Sequence, residues 1–299
     1  MTFLLFAGGW TTSIDAGMAF LDWPLSNGSI NPEGWSTDPA MRAEHGHRLL
    51  GMILGSLSLA AVVWTQLREK RSWVRALAIA LLLLVLLQGL LGGARVVFDE
   101  QNRPEATSNV IAQTFAVLHA LGAFLTVGVL LSLAAGVSRW WIERRVGLQR
   151  ASSRVVSVGG FVLCGLILVQ VVLGAIIRHQ GVGLAIDTFP YSTSDGQWLP
   201  AFWNSAVVLN ILHRLGAVLL VLMALFFLLS LWHEENTRRA FGGLACLLVG
   251  LIVLQIFLGA AVVWSDLHPH AATVHHLVGA LLFAVSWLLT FASLRFSFK

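Results

Sequence analysis

Apolar runs long enough to cross a bilayer recur along this chain, and no other feature limits its fold as tightly. Roughly 20 apolar residues span the hydrocarbon core as a helix. Such runs lie near 41–66, 75–98, 111–137, 155–178, 204–232, 243–264 and 272–293, with a shorter one at 1–13. Backbone groups in lipid must be satisfied internally, and these runs are too long for barrel strands. The expected class is therefore all-α, an integral membrane protein of eight transmembrane helices. Of 299 residues, 57% are hydrophobic and 11% charged, against about 25% charged in ordinary soluble domains.

Charge placement predicts orientation. Arg68, Lys70, Arg71 and Arg75 follow the second run, and Arg139, Arg144, Arg145, Arg150 and Arg154 follow the fourth. Arg238 and Arg239 follow the sixth, and Arg295 and Lys299 close the chain. The opposite connections hold mainly Arg42 and Arg103, with Arg95 and Arg178 at run ends. By the positive-inside rule both termini are cytoplasmic. Tryptophans such as Trp10, Trp64 and Trp264 fall near run ends, as in an interfacial aromatic belt. The net charge of +4 thus reflects topology and points to membrane lipid, not nucleic acid, as the surrounding partner. Cys164 and Cys246 lie mid-run in no metal-binding spacing, so they read as small core residues. The start of the sequence shows neither a basic, Ser-rich transit segment nor a cleavage site, which suits the plasma membrane of a prokaryote.

The chain also reads as one unit written twice. Gly17, Ala19, Trp23, Pro24 and Ser26 map onto Gly183, Ala185, Phe189, Pro190 and Ser192 at a constant offset of 166. The same offset carries His47-Arg48-Leu49 onto His213-Arg214-Leu215, and Gly8 onto Gly174. Gln-x-x-Leu-Gly recurs from Gln88, Gln170 and Gln255, and His-x-x-Gly-Ala from His119, His213 and His276. The expected architecture is two four-helix bundles, residues 1–145 and 146–299, related by a pseudo-two-fold axis along the membrane normal. The polar stretches 14–40 and 179–203 become equivalent outer loops, long enough to act as caps. Applying the offset to the fifth run places the start of the first about a dozen residues before Met1, so helix 1 is expected to be incomplete.

Four histidines, His47, His119, His213 and His276, lie inside apolar runs near their outer ends. Ionisable residues in a span are costly and mark function by default. One such histidine is commonly a satisfied core residue; four in a repeated motif are not explained that way. His47 with His119, and His213 with His276, form two facing pairs, which is how helical bundles hold haem iron from both sides. No group offers the three or four close ligands zinc requires. His275 competes with His276 from a face about 100° away, and the motif favours His276. His45, His179, His233, His268 and His270 read as surface polarity. Arg48, Arg95, Arg178 and Arg214 suit either haem propionates or snorkelling to the interface.

The halves differ at one chemically important place. Glu44 precedes His47 by three residues and shares its helix face, whereas the counterpart before His213 is Asn210, which cannot ionise. This asymmetry places chemistry in the N-terminal half and a plainer haem in the other.

Glu44-His45-Gly46-His47-Arg48 resembles the Glu-x-x-His-Arg signature of the haem A synthase family, and the outer-loop segments resemble that family's loop pattern. The resemblance covers essentially the whole chain. It implies oxidation of a methyl group of haem O to the formyl group of haem A through a hydroxymethyl intermediate. It further implies substrate haem O in the N-terminal half, resident haem B in the C-terminal half, and Glu44 as the catalytic carboxylate. An electron donor, haem O synthase and further copies of the chain are the expected partners. Phe20, Ser26, Ile186 and Ser192 stand where many members carry loop cysteines, so a thiol step cannot operate here. The alternative is a b-type bis-histidine electron-transfer or haem-handling membrane protein with no chemistry on the porphyrin.

Overall fold

A computed structural model describes residues 1–99, 101–102, 108–142, 154–233 and 235–297. The described residues form nine helices: α1 (Thr2–Ser13), α2 (Pro39–Arg68), α3 (Ser72–Val97), α4 (Ser108–Val137), α5 (Arg139–Ile142), α6 (Arg154–His179), α7 (Ser205–His233), α8 (Glu235–Trp264) and α9 (Pro269–Ser297). Seven of them, α2–α4 and α6–α9, are long and apolar enough to cross a membrane. The protein is an all-helical, multi-pass membrane protein. The first expected span is the twelve-residue α1, and the four-residue α5 was not foreseen. Arg103, Arg144, Arg145, Arg150, Lys299 and the expected boundary at 145/146 lie outside the described residues.

Helix starts follow local chemistry. Asp38 caps α2 by accepting the Met41 N–H at 2.8 Å, with Pro39 opening the helix. Asn204 caps α7 in the same way, accepting the Val207 N–H at 2.9 Å. Both cap residues and both donors are separated by the offset of 166. Helix α8 begins well before its apolar run, because the charged segment from Glu235 also coils, with Glu235 and Arg239 paired one turn apart.

Packing runs through consecutive neighbours, α1 on α2, α2 on α3 and α3 on α4, then α6 on α7, α7 on α8 and α8 on α9. Helix α6 also packs on α9. Between the two sets, α1 meets α9, α4 meets α6, and α4 meets α9. Helices α4 and α9 are the most enclosed, and α2 is the least. The large core cluster joins Phe124 of α4 to Leu163, Phe227, Leu248, Phe283 and Leu289. Leucines such as Leu83, Leu222 and Leu229 are exposed on the outer faces, where lipid supplies the contact.

Small and hydroxylic residues hold the central helices together, as expected where lipid removes the hydrophobic drive between helices. A Cβ on Gly160 would lie 2.3 Å from the Thr290 hydroxyl. The Trp287 indole donates to Ser132 Oγ at 2.8 Å, and Ser293 bonds Ser157 at 3.1 Å. Cys164 lies buried 3.7 Å from the Thr290 hydroxyl, whereas Cys246 is exposed.

Candidate functional site

Four imidazoles share one local arrangement. Each ring presents Cε1 to a glycine on the preceding helix: His47 to Gly8, His119 to Gly92, His213 to Gly174 and His275 to Gly259. A Cβ at those glycines would lie 2.7, 3.3, 3.4 and 3.2 Å from the ring carbon. Glycine is needed for this close approach of backbone to ring. The His47 and His119 ring centroids are 6.3 Å apart, with planes nearly perpendicular. His213 and His275 lie within electrostatic range of each other.

His276, which the motif singles out, projects elsewhere. Its ring lies against Gly9 of α1 and packs edge-on to Phe124 of α4 at 5.8 Å. The reason is helical geometry. Residues three and four apart share a face, so a histidine three or four positions before Gly279 fits the same pattern. The Gln255 amide reaches Gly279 just as Gln88 reaches Gly122 and Gln170 reaches Gly216. In α9 the position facing α8 is filled by His275, four residues before that glycine.

The imidazole nitrogens fit a haem ligand role. Nδ1 of His47, His213 and His275 is buried on the side of the preceding helix and lacks a full hydrogen bond, with the Leu4 and Gln255 carbonyls facing the rings of His47 and His275. His119 Nδ1 lies 3.0 Å from the Gln88 carbonyl; donating there leaves Nε2 free to bind a metal, the usual arrangement for a ligand histidine. Among the described residues no three His, Cys, Asp or Glu side chains gather as a metal-ion cage.

The arginines at the outer helix ends bond backbone carbonyls. Arg48 donates to the carbonyls of Phe20 (3.3 Å), Asp22 (2.8 Å) and Leu25. Arg214 donates to those of Ile186 (3.2 Å), Thr188 (2.6 Å) and Tyr191 (3.1 Å). All three acceptors are related by the offset of 166. Each guanidinium thus clamps an outer loop onto the start of its helix. Arg95 donates to the Gly17 carbonyl at 3.0 Å, and Arg178 to the Gly9 carbonyl at 2.7 Å and to Ser13.

Glu44 belongs to the first clamp. It is buried, pairs with Arg48, and accepts the Phe20 N–H at 3.0 Å. Asn210, at the equivalent place, instead donates to the carbonyls of Val182 and Ala206, both at 2.9 Å. The neighbouring His45, expected at the surface, is buried beneath the loop with Nδ1 3.0 Å from Ser26 Oγ and its ring 4.8 Å from Trp35. His179, also expected at the surface, is half-buried at the end of α6. On the loop itself, burial pushes the Asp22 carboxyl up. The N–H groups of Gly28 and Asn27, with Arg48 nearby, outweigh that and hold it below the usual range.

The family profile described as cytochrome oxidase assembly protein (COX15-CtaA) matches residues 36–287, which contain every imidazole above. The chain belongs to this family. Relatives include the Heme A synthase of Bacillus licheniformis, 30% identical over 95% of this chain and 89% of its own length. That of Symbiobacterium thermophilum is 33% identical over 85% of this chain and 78% of its own. That of Shouchella clausii is 31% identical over 81% and 75% respectively. The candidate residues His47, His119, His213 and Glu44 all lie within the family match. Sequence reading missed the glycine under each ring and the loop clamps, although the offset of 166 already paired their donors and several loop residues.

Proposed function

We propose that the chain is a haem A synthase, an oxidoreductase that converts a methyl side chain of haem O to a formyl group through a hydroxymethyl intermediate. The observation that carries this is the fourfold placement of an imidazole over a glycine, split between the two halves, in a chain of this family. His47 and His119 bind the substrate haem in residues 1–145. His213 and an α9 imidazole bind resident haem B in residues 146–299. The contacts of His275 support that residue over His276. When bound, haem B would supply one-electron transfer between the substrate site and an external redox partner.

The protein's own groups do the rest. The clamped loops close the outer ends of both sites and restrict water. Glu44, the sole carboxylate on the ligand face of α2, holds or accepts a proton beside the substrate, which the amide of Asn210 cannot do. The caps, the clamps and the His47–Gly8 and His213–Gly174 contacts, all related by the offset of 166, support two four-helix bundles related by a pseudo-two-fold axis. With α1 as an eighth span and the basic segments inside, both termini are cytoplasmic in a prokaryotic plasma membrane. Haem O synthase is the natural source of substrate, and association with it or with further copies of the chain belongs to the same proposal.

The competing reading is a b-type electron-transfer or haem-handling protein. Expression in a host that makes haem O but no haem A, followed by haem extraction, separates them. Hydroxymethyl or formyl haem is expected; unaltered haem O would overturn the enzymatic reading.

A further inference from the structure

The Gln88 side chain is buried at both ends: neither Oε1 nor Nε2 has a hydrogen-bond partner. It projects from α3 onto α4 one turn below His119, where a Cβ on Gly122 would lie 2.0 Å from Nε2. Its own backbone carbonyl meets His119 Nδ1 at 3.0 Å. One residue thus orients the His119 imidazole through its main chain and holds a free amide beside it. Leaving two buried polar atoms unpaired is unfavourable by more than any packing gain at such a position. The equivalent Gln255 differs, since its Nε2 already lies 3.4 Å from His275 Nε2 and only Oε1 is unpaired. The doubly free amide occurs in the half assigned to the substrate.

An amide with both ends free can donate to an oxygen and accept from an O–H at the same time, which is the pattern a hydroxyl presents. We propose that Gln88 is a substrate-binding residue that recognises a hydroxyl group on the periphery of the bound porphyrin. This rests on the proposed function. Two sources share that chemistry: the hydroxyl of the substrate's alkyl side chain and the hydroxymethyl group formed during turnover. Gly122 is part of the device, because any side chain there would push the amide away.

The test uses the full chain in nanodiscs, carrying its resident haem, with haem O and haem B as probes of the N-terminal site. Wild type should bind haem O more tightly than haem B, and Gln88→Leu, of similar volume, should lose about tenfold of that preference, the value of one hydrogen bond. That result assigns the alkyl-chain hydroxyl. Unchanged haem O binding, with several-fold more hydroxymethyl haem released during turnover, assigns the group formed in the reaction. Gly122→Ala, which keeps the amide but displaces it, should reproduce whichever effect appears. An unaltered resident-haem spectrum reports correct folding. A variant with wild-type preference and wild-type product distribution overturns the inference alone. A wild-type protein that neither prefers nor oxidises haem O overturns the functional reading, and this inference with it.

Discussion

Replacing Glu44 by Gln separates chemistry from architecture, and the second half of the chain supplies the control. In the wild type Glu44 pairs with Arg48 and accepts the Phe20 N–H, with side chains 5% and 12% exposed. Breaking a buried pair outright costs about 3–5 kcal/mol. Gln is gentler: its oxygen can keep the Phe20 N–H while its NH2 turns toward Arg48, which retains its loop carbonyls, so one charge-assisted hydrogen bond is lost, about 1–2 kcal/mol. Arg214 shows that a guanidinium can clamp the equivalent second loop on three carbonyls with an asparagine, not a carboxylate, at the position of Glu44. Glu44→Gln should therefore fold and retain the resident haem. Hydrogen exchange of residues 14–38 should rise by about tenfold, as 1–2 kcal/mol of local stability implies. Formyl haem should be absent, with haem O or the hydroxymethyl species accumulating. Normal formyl production would refute the catalytic role, and loss of the resident haem would refute the structural estimate.

His213→Ala and His275→Ala should each abolish the bis-imidazole spectrum of the resident haem, while His276→Ala leaves it; the reverse pattern in α9 would restore the motif's choice of His276. Gly8→Ala should impair haem binding in the N-terminal half more than Gly174→Ala impairs it in the C-terminal half, because the added Cβ meets the ring at 2.7 Å in one and 3.4 Å in the other; haem titration of both variants checks the order. Arg214→Ala should loosen residues 183–203 without altering residues 14–38, seen as selective hydrogen exchange. Asp22 has a lowered carboxyl pKa when folded. Its stabilisation of the first loop is therefore fully present above the unfolded value of about 3.9 and lost as pH falls through the folded value; Asp22→Asn should abolish that acid-dependent opening.

Much of the helical framework was legible because apolar length alone defines a membrane span, and seven of the eight expected runs are helices of that length. The histidine–glycine contacts were legible through repetition: His47 and His213 share an offset with their arginines and with Gly8 and Gly174. What could not be read was direction. Arg48 and Arg214 sit at the outer ends of helices, where propionate binding, snorkelling and loop clamping all look alike. Only the fold shows three carbonyls converging on each. His275 and His276 differ by one residue, and a glycine three or four positions on cannot tell them apart. His45 looked like surface polarity because the loop that buries it is distant in sequence, anchored by Ser26. Short α5 carries too few residues for any periodic signal.

The most direct measurement is mass analysis of the haem released from purified, reduced protein after incubation with haem O in air. Successive appearance of hydroxymethyl and formyl haem, with the resident haem unchanged, is the result this account predicts. Recovery of unmodified haem O from a protein whose bis-imidazole spectrum is intact would contradict it and leave an electron-transfer or haem-handling protein in its place.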